Sequence, residues 1–425
     1  MIIHVVKPGE TVVSIATQYG VLPDLLSLAN GVGGQSLVPG QTLVVRYPAK
    51  LLTVQPGDTL YSIALREGVS VLQLWRCNPW LWGTERLYPG QTLVTGYQQE
   101  QQSTLLVTGY AYPYIREDLL RQTLPYLSAC IPFTYGFTPE GRLLPLGDGA
   151  LLALARQYGT ESWMNLSTLT EEGGFSSALA EALLQNDAAR AQLAAEIAAQ
   201  MAEKGYAGLD VDFEYLPGQS AAAYADFIRQ LREALSPGGA PVTVALAPKT
   251  SAGQAGLLYE GHDYAALGAA ADYCLLMTYE WGYAYSAPMA VSPIPKIRQV
   301  LDYAVTAIPA KKLLLGISSY GYDWPLPYAQ GKTRARSIGC QQAITIAREH
   351  GAEIFFDEAA QAPYFRYTAE EQAHEVWFED ARSIAAKLSL IPEYGLSGAG
   401  YWNLMRPFAQ NWLVLDSLFH IQDPV

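Results

Sequence analysis

From residue 104 to the C-terminus, short apolar runs alternate with longer stretches in which apolar residues return every three or four positions. The short runs predict strands at 105–110, 129–134, 161–166, 208–214, 241–247, 273–279, 312–318 and 396–402. The longer stretches, such as 188–204, 221–235 and 295–307, carry the period of amphipathic helices. Strands apolar along their whole length and separated by helices imply a parallel sheet covered on both faces. Eight such units predict an α/β fold, a closed (β/α)8 TIM barrel. Roughly 320 residues are available where that fold typically uses ~250, so an insertion is also required. The connection after strand seven, about 324–376, is too long to be a single helix. It holds a helical pattern at 341–350 and strand-like pieces at 353–356, 364–367 and 376–378. It predicts a small α+β insertion forming one wall of a cleft.

The first hundred residues follow a different rule. Val6-Lys-Pro-Gly-Glu-Thr11, with Ser14-Ile-Ala16 and Tyr19-Gly-Val21, returns as Val54-Gln-Pro-Gly-Asp-Thr59, Ser62-Ile-Ala64 and Glu67-Gly-Val69. Each copy closes on the same phrase, Pro39-Gly-Gln-Thr-Leu-Val44 and Pro89-Gly-Gln-Thr-Leu-Val94. A repeat of about 50 residues indicates tandem small modules. Thr11 and Thr59 stand where helix N-caps belong, and Asn30 and Asn78 fall just past a second short helix. The pattern predicts two βααβ units, at 2–46 and 51–95, joined by a polar linker at 96–103 to a barrel at 104–425. The second copy alone carries Trp75, Trp80 and Trp82, so the two copies can differ in ligand preference. This repeat resembles the LysM module, which implies binding of glycans that contain N-acetylglucosamine, chiefly peptidoglycan and chitin. A βααβ unit that serves only for protein contacts is the alternative.

Composition narrows the partners. Half of the 425 residues are hydrophobic and the formal charge is −13, which argues against nucleic acid and against anionic membrane surfaces. The chain has 28 Tyr and 9 Trp, as suits either a large core or a groove that stacks sugar rings. The four cysteines, 77, 130, 274 and 340, form no C-x-x-C pair, so neither a zinc site nor a disulfide framework is expected. Cys130 and Cys274 lie in apolar runs and read as core. No apolar run is long enough to span a membrane, and the N-terminus lacks the basic start and apolar core of a secretory leader. A monomer without cofactor or metal is expected.

The candidate chemistry lies in Gly208-Leu-Asp-Val-Asp-Phe-Glu-Tyr215. Asp210, Asp212 and Glu214 alternate with Leu209, Val211 and Phe213, so three carboxylates share one face of a strand, about 6.5 Å apart per pair. A polar strand face normally mixes charge signs, because like charges along it repel. A calcium loop is excluded, since Tyr215 stands where that loop needs glycine. Crowding drives carboxyl pKa values apart, so that one group stays protonated as an acid beside an ionised neighbour. Catalytic groups of such barrels sit at the C-terminal strand ends. That places Glu214 outermost, with Asp212 and Asp210 successively deeper. The same rim collects Tyr110, Phe133, Asn165, Tyr279, Glu280, Trp281 and Trp402 from the ends of other strands.

The run GLDVDFE resembles the D-G-x-D-x-D-x-E signature of glycoside hydrolase family 18, and Met277-Thr-Tyr-Glu280 resembles that family's strand-six motif M-x-Y-D. Ala207 stands in place of the first Asp of the signature, and Glu280 in place of the last Asp of the second motif. The resemblance implies Glu214 as general acid and attack by the substrate's own 2-acetamido group. Asp212 would hold the acetamido N–H, Asp210 would share its proton, and Tyr279 would bond the acetamido oxygen. Tyr110, Phe133, Asn165, Glu280, Trp281 and Trp402 would contact substrate, and Trp402 would floor the sugar subsite. The motif Met277–Tyr283, the stretch Val376–Asp380 and the two LysM copies together resemble the enzymes of spore-forming bacteria that degrade spore-cortex peptidoglycan during germination. The chain is thus expected to be an N-acetylglucosaminidase of the spore coat or cortex, bound to the cell wall. A chitinase and a non-catalytic glycan-binding coat protein are the alternatives.

Overall fold

The computed structural model describes residues 1–81, 86–170 and 173–423. Each N-terminal copy forms the expected βααβ unit. In the first, Ile2–Val5 pairs antiparallel with Thr42–Val45 around helices Val12–Tyr19 and Pro23–Ala29. In the second, Pro48–Thr53 pairs with Thr92–Tyr97 around Leu60–Glu67 and Val71–Cys77. Thr11 and Thr59 each close a capping box with the serine three residues on, which satisfies backbone N–H groups at the helix start. The repeated asparagines act as staples. Asn30 donates to the carbonyls of Leu26 and Val44 and accepts from the Val44 N–H, and Asn78 does the same with Leu74 and Val94. Trp82 lies outside the described residues.

The barrel strands are β1 (Thr104–Ala111), β2 (Ala129–Pro132), β3 (Glu161–Ser167), β4 (Gly208–Asp212), β5 (Val242–Leu246), β6 (Tyr273–Leu276), β7 (Leu313–Ser318) and β8 (Gly398–Trp402). They pair parallel in sequence order, and β8 pairs with β1 to close the ring. Leu209, Val211 and Phe213 are fully buried against the surrounding helices. Gly208 has to be glycine, because a Cβ there would lie 2.7 Å from the Trp163 ring. All four cysteines are free and buried.

The insertion is a five-stranded antiparallel sheet with helix Cys340–Glu349. It starts earlier than the sequence pattern indicates, with Tyr320–Leu326 pairing to both Arg336–Gly339 and Gln372–Trp377. Only Ser319 separates that strand from β7, so it reads as a continuation of the apolar run.

Both modules pack on the barrel. Arg46 makes a buried ion pair with Asp416 at 2.6 Å and stacks on Tyr97. Gly40 approaches the insertion so closely that a Cβ would sit 1.8 Å from the Ile354 carbonyl oxygen. From the second module, Trp75 packs on Tyr158 and the Arg76 Nε donates to the Pro125 carbonyl at 2.6 Å. The segment 96–103 is no loose tether. Its first two residues belong to the strand Thr92–Tyr97, and Gln99 and Gln101 both donate to the Asp416 carbonyl.

Candidate active site

A cleft of about 680 Å³ opens at the C-terminal ends of the barrel strands, a size suited to a small ligand or a few sugar units. Glu214 and Asp212 reach it from the end of β4, and Tyr279, Glu280 and Trp281 from the end of β6. Tyr110, Phe133 and Trp402 close the other side. The three rings pack edge to face, with Phe133 4.8 Å and Tyr110 5.7 Å from Trp402. Tyr112, Tyr215, Tyr259 and Tyr283 add further walls.

The acidic row descends as the period-2 pattern requires. Asp210 is fully buried, and its Oδ2 accepts from the Tyr110 hydroxyl at 2.9 Å and from Asn165 Nδ2 at 2.8 Å. Asn165 therefore stands beneath the cleft, supporting Asp210, and does not line the cavity itself. The Oδ1 atoms of Asp210 and Asp212 are both buried without a hydrogen-bond partner among the described residues. A buried, unpaired carboxylate oxygen strongly favours the protonated form. Burial pushes the Asp210 carboxyl up to about 7, against the two donors that pull it down. Burial, then the charges of Glu214 and Asp210, also hold the Asp212 carboxyl well above the usual carboxylate range. Glu214 is pushed up to about 7, first by burial and then by the charge of Glu280.

Residues 156–406 match the family of glycosyl hydrolases family 18. The chain belongs to that family. Residues 4–46 and 52–95 of this family 18 hydrolase match the LysM domain. The chain is 39% identical to the cortical fragment-lytic enzyme of Bacillus subtilis (strain 168), over 99% of both chains. The crystal structure of the spore cortex-lytic enzyme SleL of Bacillus megaterium QM B1551 superposes with a TM-score of 0.84 at 35% identity, covering 100% of this chain and 99% of that one. A chitinase from Chromobacterium violaceum superposes with a TM-score of 0.68 at 27% identity, covering 74% of this chain and 98% of that one.

The two departures from the family motifs have distinct settings. Ala207 packs in the apolar layer around Trp163, below the carboxylates. Glu280 has a left-handed backbone, with φ at 66°. Its carboxylate accepts hydrogen bonds from the hydroxyls of Tyr320 and Tyr322 on the first insertion strand. Burial raises the Glu280 pKa and the two hydroxyls oppose the rise. The tyrosine pair was absent from the sequence-derived site. Its signal was the alternation Tyr320, Tyr322, Trp324, a period-2 aromatic face hidden by the intervening Gly321 and by Pro325.

Proposed function

We propose that this hydrolase cleaves N-acetylglucosaminyl bonds in peptidoglycan, that of the spore cortex during germination, with retention at the anomeric carbon. The observation that carries the reading is a carboxyl held near pH 7, Glu214, at the cleft mouth directly above Asp212. A general acid must be protonated at working pH and still able to give its proton up. Glu214 donates to the glycosidic oxygen as the C1–O bond breaks. The carbonyl oxygen of the substrate's 2-acetamido group attacks C1, forming a cyclic oxazolinium. Asp212 receives the acetamido N–H and stabilises the positive charge, while Asp210 takes up the proton the pair shares. Tyr279 orients the acetamido oxygen, and Trp402, Phe133 and Tyr110 hold the sugar face. Water, deprotonated by the now ionised Glu214, opens the ring and restores both groups. This scheme needs no carboxylate nucleophile, as in other substrate-assisted enzymes. The LysM modules would hold the enzyme on the glycan.

Similarity over the full length to cortex-lytic enzymes supports the cortex as substrate, since the chitinase covers only 74% of the chain. Digestion of purified spore-cortex peptidoglycan by wild type and Glu214→Gln tests the reading, with fragments weighed by mass spectrometry. Fragments ending in N-acetylglucosamine, released only by wild type, are expected. The variant should lose about 10²–10⁴-fold in turnover. Activity within a few-fold of wild type refutes the acid assignment. Release from chitin oligomers but not from cortex moves the substrate to chitin, and binding without release from either leaves a glycan-binding protein.

A further inference from the structure

We infer that His262 is a positioning residue for the general acid, its imidazole replacing the β-ladder where β4 runs out and fixing the peptide plane that carries Glu214. The inference rests on Glu214 being the acid, as proposed above. Strand β4 ends at Asp212 and β5 at Leu246, and the last paired residues between them are Val211 and Val244. The carbonyl of Phe213 and the N–H of Ala247 both lie beyond that register. His262 sits between them, with Nδ1 2.8 Å from the Ala247 nitrogen and Nε2 2.9 Å from the Phe213 oxygen.

The tautomer follows from the partners. A backbone N–H can only donate, so Nδ1 carries the lone pair; a carbonyl can only accept, so Nε2 carries the proton. The ring is therefore neutral with its hydrogen on Nε2. It is fully buried, and burial, reinforced by the charge of Lys249, pushes its pKa down to about 4. Lys249 Nζ in turn donates to the His262 carbonyl at 2.9 Å. Tyr224 lies 6.1 Å from the imidazole and stacks on Phe213.

The Phe213 carbonyl belongs to the planar peptide whose nitrogen is that of Glu214. Fixing its direction fixes how the Glu214 side chain leaves the backbone. One residue on, Tyr215 turns left-handed with φ at 57°. The Gly261 N–H then bonds the Leu216 carbonyl at 2.9 Å, so the segment around His262 braces the β4 exit on both sides of the acid. Gly261 has to be glycine there, because a Cβ would meet the Leu216 Cβ at 2.2 Å. His262 does not line the cleft, so it acts through Glu214.

Three full-length variants separate the two hydrogen bonds. His262→Gln places an amide nitrogen where Nε2 was and can still donate to Phe213. His262→Asn reaches only the Ala247 N–H, and His262→Leu reaches neither. On cortex fragments, kcat should fall about tenfold or more in Asn and Leu with KM within about two-fold, and Gln should recover most of kcat. A His262→Asn enzyme with wild-type kcat, or kcat values that follow melting temperature with no advantage for Gln, overturns the inference. Glu214→Gln is assayed beside them: an active Glu214→Gln enzyme overturns the acid assignment and this inference with it. An inactive one, with His262→Asn at wild-type kcat, overturns this inference alone. A measurement without variants stands beside these, since the chain has 5 histidines. Imidazole ¹⁵N spectra of wild type should show one ring as the neutral Nε2–H tautomer from pH 8 down to pH 5.5. Spectra in which no ring keeps a neutral Nε2–H form down to pH 5.5 refute the geometry.

Discussion

Replacing Glu214 by Gln should stabilise the fold while abolishing turnover, and the gain should grow with pH. Glu214 titrates at about 7 in the folded protein against an ordinary 4.5, through burial and then through the charge of Glu280. A carboxyl whose folded pKa lies above its unfolded value binds its proton more tightly when folded. Folding is therefore penalised once pH passes the unfolded value, and the penalty is complete above the folded one. The gap between 4.5 and about 7 corresponds to about 3 kcal/mol at roughly 1.4 kcal/mol per tenfold. At pH 5 only about a quarter of that penalty has developed; at pH 8 nearly all is present. Gln has nearly the same shape and never ionises, so the variant escapes the penalty. Urea unfolding of both proteins at pH 5 and pH 8 should show the variant's advantage rising by about 2–3 kcal/mol between the two. Asp210 and Asp212 are still present in the variant, and loss of the Glu214 charge relieves Asp212, so their effect acts in the same direction. An advantage that is equal at both pH values, or that shrinks as pH rises, refutes the reading of Glu214 as a carboxyl held protonated by its surroundings.

Glu280→Gln removes a negative charge that helps keep Glu214 protonated, so the alkaline limb of the kcat profile should move to lower pH; a limb that stays put or moves up contradicts the coupling. Asp212→Asn should lose turnover and keep its affinity for insoluble glycan, as a pull-down beside a turnover assay will show. Arg46→Leu leaves Asp416 buried without its partner, and equilibrium unfolding should register a loss of about 3–5 kcal/mol; a loss below about 1 kcal/mol would mean water reaches the pair. Gly40→Ala should release the first module from the insertion and open the segment 96–103 to proteolysis. Gly90→Ala, at the equivalent place in the second copy, should leave it protected. Both glycines are left-handed, with φ at 83° for Gly40 and 88° for Gly90, but a Cβ at Gly90 has nothing within 4 Å.

How much of this was legible in the sequence varies with the distance over which each feature is decided. The capping boxes at Thr11 and Thr59 are three-residue events, and the sequence phrase alone places them. Most of the barrel strands show because apolar residues run along both faces, a pattern that few other settings produce. The row Asp210, Asp212, Glu214 is legible because strand geometry has a period of two. The strand Tyr320–Leu326 was hidden because it follows β7 after a single residue, and a continuous run does not reveal that the chain has left one sheet for another. Asn165 looked like a substrate contact from its place in β3, but its depth in the barrel puts it on Asp210 instead.

By itself, the sequence determined what short-range periodicity and local chemistry control: two βααβ modules, a (β/α)8 barrel with an insertion after strand seven, and a descending row of three acids at the end of β4. The partners that set the behaviour of those acids come from elsewhere in the chain. Tyr320 and Tyr322 hold Glu280 from 40 and 42 residues away, and His262 bonds the peptide ahead of Glu214 from 49. No periodicity links such positions, because barrel closure brings them together only after every strand has taken its place. Desolvation, too, belongs to the assembled fold: a carboxylate becomes an acid near neutral pH only when the surrounding chain removes its water.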